Sequence, residues 1–391
     1  MDTGAQVIMS TYSRLLPLIH EMGLDHQLCA LDSRMSFFSE GKHLEIDARN
    51  PLALLTAGIL PPGELVRVGL ALPDMLRRCE ARSQSDLLAW EEFDVEDSET
   101  WIRRTIGTRA AERFIGPVLR GGFYQDASEV SATLAAWVFS AFLKGLHNYS
   151  LRDGLDQLHK AIAKWLDVRL GKSVSVLGWD PSRIQYCIQT PEEKFWADRV
   201  VLALPKPKGV LASELVNDSC GRALCAVPVT YRPGVTVGVE GPSALTHYAG
   251  YTLVDTREQM RSVTLGRASA KAGLSREVAQ TRQRDLITNY LYDTDLKGLV
   301  SAPELEIEKL ALGELERIYP EMRGKSSVLE ITRWEAAMPT LPVGAVALIR
   351  RYREAVQLHR PGWVWASDAI SVPCMDGAVE SGEWAARQIL A

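Results

Sequence analysis

The 391-residue sequence has no apolar run long enough to span a bilayer. Met1-Asp2 does not open a secretion signal. There is no basic run, and the net charge is -5, which argues against nucleic acid as a partner. The six cysteines, Cys29, Cys79, Cys187, Cys220, Cys225 and Cys374, show neither metal-ligand nor disulfide-framework spacing. Cys220 and Cys225 are the nearest pair, with no histidine cluster beside them. The expectation is reduced thiols in a cytoplasmic protein. The seven histidines form no HxxxH and no Cys/His set. No nucleophile elbow is present, so hydrolase and metalloenzyme chemistry find little support. A GxGxxG dinucleotide turn is missing as well, as are internal repeats and low-complexity tracts.

What remains is an ordinary globular composition, 46% hydrophobic and 24% charged. The length suits roughly two or three domains with a sizeable core. Ten tryptophans are many. They can line an aromatic pocket or simply pack.

Helical spacing places Tyr12, Leu15, Leu16, Ile19 and Met22 on one face, and Gly23 stops that helix. Residues 34–46 alternate and predict a hairpin turning at Glu40-Gly41. From Pro51 to about residue 147 the pattern is helical. Ser98 is a candidate cap for a helix through Arg104, and Ser131–Leu146 is a strongly apolar helix. After Asp153-Gly154 come a helical stripe over 155–166 and strands at Ser173–Leu177, Arg183–Ile188 and Ala197–Leu204, an α/β texture. Further strands are predicted at Pro228–Tyr231, Val235–Val239, Ser262–Leu265 and Val328–Trp334, with helix over 275–319. Arg350-Arg351-Tyr352-Arg353 is a candidate anion site or a solvated helix face.

The C-terminal segment carries the strongest pattern: Gly362-Trp-Val-Trp-Ala-Ser-Asp368, Pro373-Cys-Met-Asp-Gly-Ala-Val379, then Ser381-Gly382 and Ala385-Ala386. It predicts a buried strand, a loop holding one carboxylate, and a helix opening on Asp376-Gly377, with Asp376 as its N-cap. Ala378, Val379, Gly382, Ala385, Ala386 and Ile389 are its predicted buried face, and Glu380 its solvated one. Such a helix start offers free N–H groups and positive potential to an electron-rich ligand.

This segment resembles the C-terminal flavin-binding signature of the flavin-containing amine oxidase and protoporphyrinogen oxidase superfamily. The stretch Met1-Asp-Thr-Gly-Ala-Gln6 resembles the one that follows the superfamily's dinucleotide-binding unit. Ala197-Asp-Arg-Val-Val-Leu-Ala-Leu-Pro205 resembles its strand near the flavin. Arg333-Trp334, Met338-Pro339 and Pro342-Val343-Gly344 resemble a segment of its protoporphyrinogen-oxidase-like branch. The resemblance implies an α/β fold: a discontinuous, Rossmann-like FAD-binding domain over 1–35, 148–225 and 355–391. It also implies a helical part over 36–147 and a substrate-binding sheet domain over 226–354. The first βαβ unit, with its GxGxxG turn, has no counterpart in these residues. Weak FAD binding is therefore expected, as is a partner chain or homo-oligomer that completes the sheet.

The implied cofactor contacts are Gly4, Ala5 and Gln6 at the flavin edge, and Val174 at the adenine. Ser367 and Asp368 belong at the ribityl chain, and Asp376, Gly377, Ala378 and Val379 at the pyrimidine end. Ser367 stands where the superfamily has Gly, Asp376 where it has Glu. Cys374 takes the place of an aromatic that simple-amine oxidases use, which favours a bulkier, conjugated substrate. The implied function is FAD-dependent removal of hydride from a C–H beside nitrogen or within a conjugated small molecule, with dioxygen as reoxidant. No catalytic acid or base is assigned. The alternative is a flavin-free relative that keeps the fold as a binding or non-redox scaffold.

Overall fold

A computed structural model describes residues 2–390 apart from 81, 206, 244, 246, 247, 272–278, 280, 282 and 293–297; the side chains of residues 51, 79 and 80 also lie outside the description. The fold is mixed α/β and is organised around one large sheet. Its strand order is Ser327–Pro339, Tyr231–Pro242, Arg284–Leu291, Ser262–Arg267, Tyr251–Val254, Arg34–Ser39 and Lys42–Asp47. Neighbours are antiparallel except Tyr251–Val254 against Arg34–Ser39, where Thr252 sits opposite Ser36. The hairpin at Glu40-Gly41 forms as its alternation predicts. Both turn residues have positive φ, 54° and 72°, which suits a two-residue turn between right-twisted strands.

One face of this sheet packs on the helix Glu304–Ile318. Val235, Val237, Val239, Ile287, Leu291, Ile307, Ala311 and Leu315 form that core. The helix expected over 275–319 is thus corrected in its first half. Arg284–Leu291 is a central strand; residues 275–278, 280, 282 and 293–297 lie outside the described residues. Asp285-Leu-Ile-Thr-Asn-Tyr-Leu291 alternates, and strands pair with it on both sides. That two-sided pairing, not local propensity, decides its state.

The helical part surrounds Ala132–Leu143, which is buried on nearly every side and capped by Ser131 accepting from the Thr133 N–H at 3.2 Å. Ser98 opens its helix, but the cap is Asp97, accepting from the Thr100 N–H at 2.9 Å. Other caps come from far along the chain. Glu64 accepts from the Arg109 and Ala110 N–H groups, each at 2.9 Å. Asp94 accepts from Gly344 and Val346, at 2.9 and 2.8 Å, at the start of the helix Ala345–His359.

Three smaller sheets complete the frame. Ile8–Met9 and Leu28–Ala30 flank Asn148–Leu151; Val176–Asp180, Gln185–Gln189 and Lys194–Ala197 form an antiparallel meander. Val200–Leu202 pairs in parallel with Trp363–Trp365. The strands expected at 173–177, 183–188 and 197–204 are therefore shifted by a few residues, and the last is split. Among the described residues no helix is long and apolar enough to cross a membrane.

The Asp94 cap ties the helical part to the start of the helix Ala345–His359. Replacing Asp94 by Ala leaves two amides without their acceptor and should cost about 1–3 kcal/mol. Urea denaturation of parent and variant measures it.

Candidate functional site

The C-terminal elements form one packed unit. Trp363, Val364 and Trp365 are buried, and the C-terminal helix Met375–Leu390 packs on this strand and its partner Val200–Leu202. The Trp365 N–H points away from that partner and donates to the Tyr352 hydroxyl at 2.8 Å. The Trp365 indole donates to the Leu204 carbonyl at 2.8 Å.

Ser367 and Asp368 follow directly. The Ser367 N–H donates to the Ser381 hydroxyl of the C-terminal helix at 2.7 Å. Its own hydroxyl donates to Asp368 Oδ1 at 3.1 Å and lies 3.2 Å from the Tyr231 hydroxyl. Asp368 is half-buried, and among the described residues no lysine or arginine pairs with it. Burial pushes its carboxyl above the ordinary carboxylate range; the Ser367 hydroxyl and the Ala369 amide pull the other way. Burial also pushes the Tyr231 hydroxyl up, to about 12. A desolvated carboxylate with one hydroxyl donor retains acceptor capacity for a further hydroxyl.

The helix start departs from expectation. The helix begins at Met375, so Asp376 lies in its first turn instead of capping it. Its fully buried carboxylate caps another helix, Leu15–Glu21, accepting from the Arg14 and Leu15 N–H groups at 2.9 and 2.7 Å. The Ser85 hydroxyl donates to its second oxygen. Gly377 presses its own chain: a Cβ there would stand 2.0 Å from the Val372 carbonyl oxygen. The Ala378 N–H donates to the Cys374 carbonyl at 3.0 Å. The Gly377 amide faces the Cys374 sulfur, whose pKa burial pushes up to about 12.

The predicted buried face of this helix is also corrected. Ala378, Gly382 and Ala386 are exposed; Gly377, Glu380, Ser381, Trp384 and Ala385 are buried. Glu380 turns inward because Arg353 meets it there, with hydrogen bonds of 2.9 and 2.7 Å. Arg353 is accordingly neither solvated nor an open anion site. Arg350 pairs with Glu91 and Glu354 at the surface.

The N-terminal residues hydrogen-bond to the central strand Arg284–Leu291 of the large sheet. The Gly4 carbonyl accepts from the Tyr290 hydroxyl at 2.6 Å, and the Gln6 amide donates to the Thr288 hydroxyl at 2.7 Å. Gly4 and Ala5 are exposed. The sheet links this group to the C-terminal one, because Tyr231 and Tyr290 stand on adjacent strands. Val174 is half-buried just before the strand Val176–Asp180, and among the described residues no hydrogen bond joins it to the other candidates. Tyr231 and Ser85 carry no sequence motif; Arg353 lies in the arginine-rich run that suits an anion site or a solvated face, Glu380 falls on the predicted solvated face, and the Ser381-Gly382 pair is the signal that marks Ser381.

The fit to a flavin divides. Asp368 fits a hydroxyl-bearing chain such as ribityl. The helix start does not fit the ring: Gly377 and Ala378 have internal partners for their N–H groups, and the hydrogen face of Gly377 abuts Val372. A cavity of about 40 Å³ elsewhere is lined by Leu54, Val68, Phe114, Phe139 and Phe142, and by none of the candidate residues.

The sequence matches the family described as flavin containing amine oxidoreductase over residues 1–390. The chain belongs to that family. It is thereby placed among oxidoreductases whose cofactor is a flavin. No curated protein matches it. Among solved structures it is similar to one named "Putative protoporphyrinogen oxidase", from Exiguobacterium sp. 255-15, with 18% identity, TM-score 0.70, and cover of 100% of this chain and 88% of that one. It is similar to the cyclohexylamine oxidase of Brevibacterium oxydans IH-35A, at 16% identity, TM-score 0.69, and cover of 100% and 87%. A third is the CLA-producing fatty acid isomerase of P. acnes, at 14% identity, TM-score 0.69, and cover of 99% and 86%. At these identities the structures establish the fold.

Two outcomes follow. Asp376→Ala should destabilise by about 3 kcal/mol or more, since three donors lose a buried charged acceptor; chemical denaturation checks it. Asp368→Asn should raise Tm at neutral pH. The raised carboxyl pKa costs stability as pH climbs from about 4 through the folded value, so the gain should vanish as pH falls back towards 4. Differential scanning fluorimetry across pH reads this.

Proposed function

We propose that this family member is an FAD-dependent oxidoreductase that removes hydride from a C–H beside nitrogen or within a conjugated small molecule, with dioxygen as the reoxidant. The observation that carries the reading is Asp368. Its carboxylate stands at the end of the Trp363–Trp365 strand, has lost much of its hydration, and keeps capacity for a ligand hydroxyl. In this reading Ser367 orients Asp368, and Gly4, Ala5 and Gln6 border the ligand from the sheet side. Val174 meets the nucleotide end, while Gly377–Val379, internally capped, contribute no contact to the ring in this arrangement. When bound, the flavin would supply the redox chemistry, and the chain would supply binding and orientation. A cytoplasmic location belongs to the reading, on the strength of the free thiols Cys29, Cys187, Cys220, Cys225 and Cys374.

The exposed apolar stretch Trp165, Leu166, Val168 and Leu170 supports an additional packing element, as does the half-exposed Val201 of the two-stranded parallel sheet. Parallel strands are ordinarily covered on both faces. The proposed partner is a strand-bearing element, from a second copy or another chain. If a second copy serves, light scattering should show concentration-dependent association, weakened in Trp165→Ser/Leu170→Ser.

A flavin-free scaffold is favoured by a different observation, the internally capped start of the C-terminal helix. Titrating FAD into the purified chain, followed by flavin fluorescence, separates the two. The oxidoreductase reading expects weak saturable binding that falls about 10-fold or more in Asp368→Ala, the loss of one hydrogen bond to a charged group. No saturable binding at all would favour the scaffold. A substitution of Gly377 would not test flavin contact, since any side chain there would strike Val372 first.

A further inference from the structure

Arg353 and Glu380 are 7% and 6% exposed, on two different helices, so little solvent shares their charge. Guanidinium and carboxylate meet as a fork, at 2.9 and 2.7 Å. The Trp384 ring lies 4.9 Å from the guanidinium carbon, and Arg353 Nε has no hydrogen-bond partner. As a source of stability such a pair has little advantage over two well-packed apolar side chains. What it adds is geometric. The same guanidinium donates to the Ile370 carbonyl at 2.9 Å, and the Ser371 hydroxyl donates to the same carboxylate at 2.8 Å. At the other end of this short loop the Ser367 N–H is fixed on Ser381, the residue after Glu380. Asp368 thus stands in a five-residue stretch clamped at both ends to one turn of the C-terminal helix.

We propose that Arg353 and Glu380 are positioning residues of the candidate site: their buried pair sets where the Ser367–Ser371 loop rests on the C-terminal helix, and so keeps the Asp368 carboxylate in its desolvated place. This deepens the reading in which Asp368 accepts a ligand hydroxyl and rests on it for its functional meaning. The titratable group facing Asp368 is Tyr231, across Ser367; its hydroxyl stays neutral over the working pH range. Among the described residues no ion pair reaches Asp368, so burial is the main influence on its proton affinity, opposed by the Ser367 hydroxyl and the Ala369 amide.

The experiment compares Tm against pH for the parent chain, Asp368→Asn, the double variant Arg353→Met/Glu380→Leu, and the triple combination. In the parent background Asp368→Asn should be the more stable at neutral pH, with the gap closing in acid. In the double-variant background the loop loses its clamp, water reaches Asp368, and the gap should collapse at every pH. A gap that persists unchanged would show that the pair only joins two helices, and would overturn the proposal. So would the absence of any gap in the parent. If the double variant fails to fold, Arg353→Lys and Ser371→Ala make the same comparison, because each removes part of the clamp and leaves the buried charge balance intact. FAD titration of the parent and Asp368→Ala separates the two ideas. Unchanged affinity in Asp368→Ala together with a collapsing gap would refute the ligand role of Asp368 and keep the positioning role.

Discussion

One carboxylate, that of Asp376, ties three parts of the chain together. It completes the first turn of the Leu15–Glu21 helix, takes the Ser85 hydroxyl from the helical part, and belongs to the C-terminal helix. A helix start leaves its first amides without partners. Here that need is met from outside the helix, so the first turn of Leu15–Glu21 is fully satisfied only when the C-terminal helix is in place. The Tyr12 ring is buried beside Cys374 at the same junction. Whatever approaches the start of the C-terminal helix must therefore negotiate with a joint that also holds the first helix.

The three acidic side chains near the C-terminus show how neighbours set roles. Glu380 is paired with Arg353; Asp376 is satisfied by two amides and a hydroxyl; Asp368 has burial, the Ser367 hydroxyl and the Ala369 amide, and no cation among the described residues. The first two are saturated and structural. The third is costly to the fold as it stands, and a site that costs stability is where function is to be sought. The large sheet then places the N-terminal candidates within the same assembly, through Tyr290 on one strand and Tyr231 on the next.

The local parts of this arrangement were legible in the sequence. The Glu40-Gly41 hairpin, the apolar helix capped by Ser131, the Trp363–Trp365 strand and the order of elements around it all follow from alternation, helical spacing and turn residues. The family was legible for a related reason: its signature is a contiguous string at the C-terminus. What could not be read was anything settled by partners far away. Asp376 has the composition of a local cap, and nothing nearby reveals that its acceptor capacity is spent on residues 14 and 15. Glu380 has the look of a solvated glutamate until Arg353 is placed opposite it. Arg284–Leu291 has mixed local preference, resolved by strands on either side. In each case the deciding interaction crosses tens to hundreds of residues, and single-chain periodicity carries no information at that range.

The distance along the chain between the first helix and its cap has a consequence in time. Arg14 and Leu15 are 362 and 361 positions from the carboxylate that accepts their amides. At ordinary rates of synthesis that interval is about 20 to 70 s. For that period the Leu15–Glu21 helix stands without its terminal acceptor, and Arg34–Ser39 waits roughly three-fifths as long for Tyr251–Val254. The Leu15–Glu21 helix is thus completed long after it is made, and its unpaired amides stay exposed for the whole of that interval.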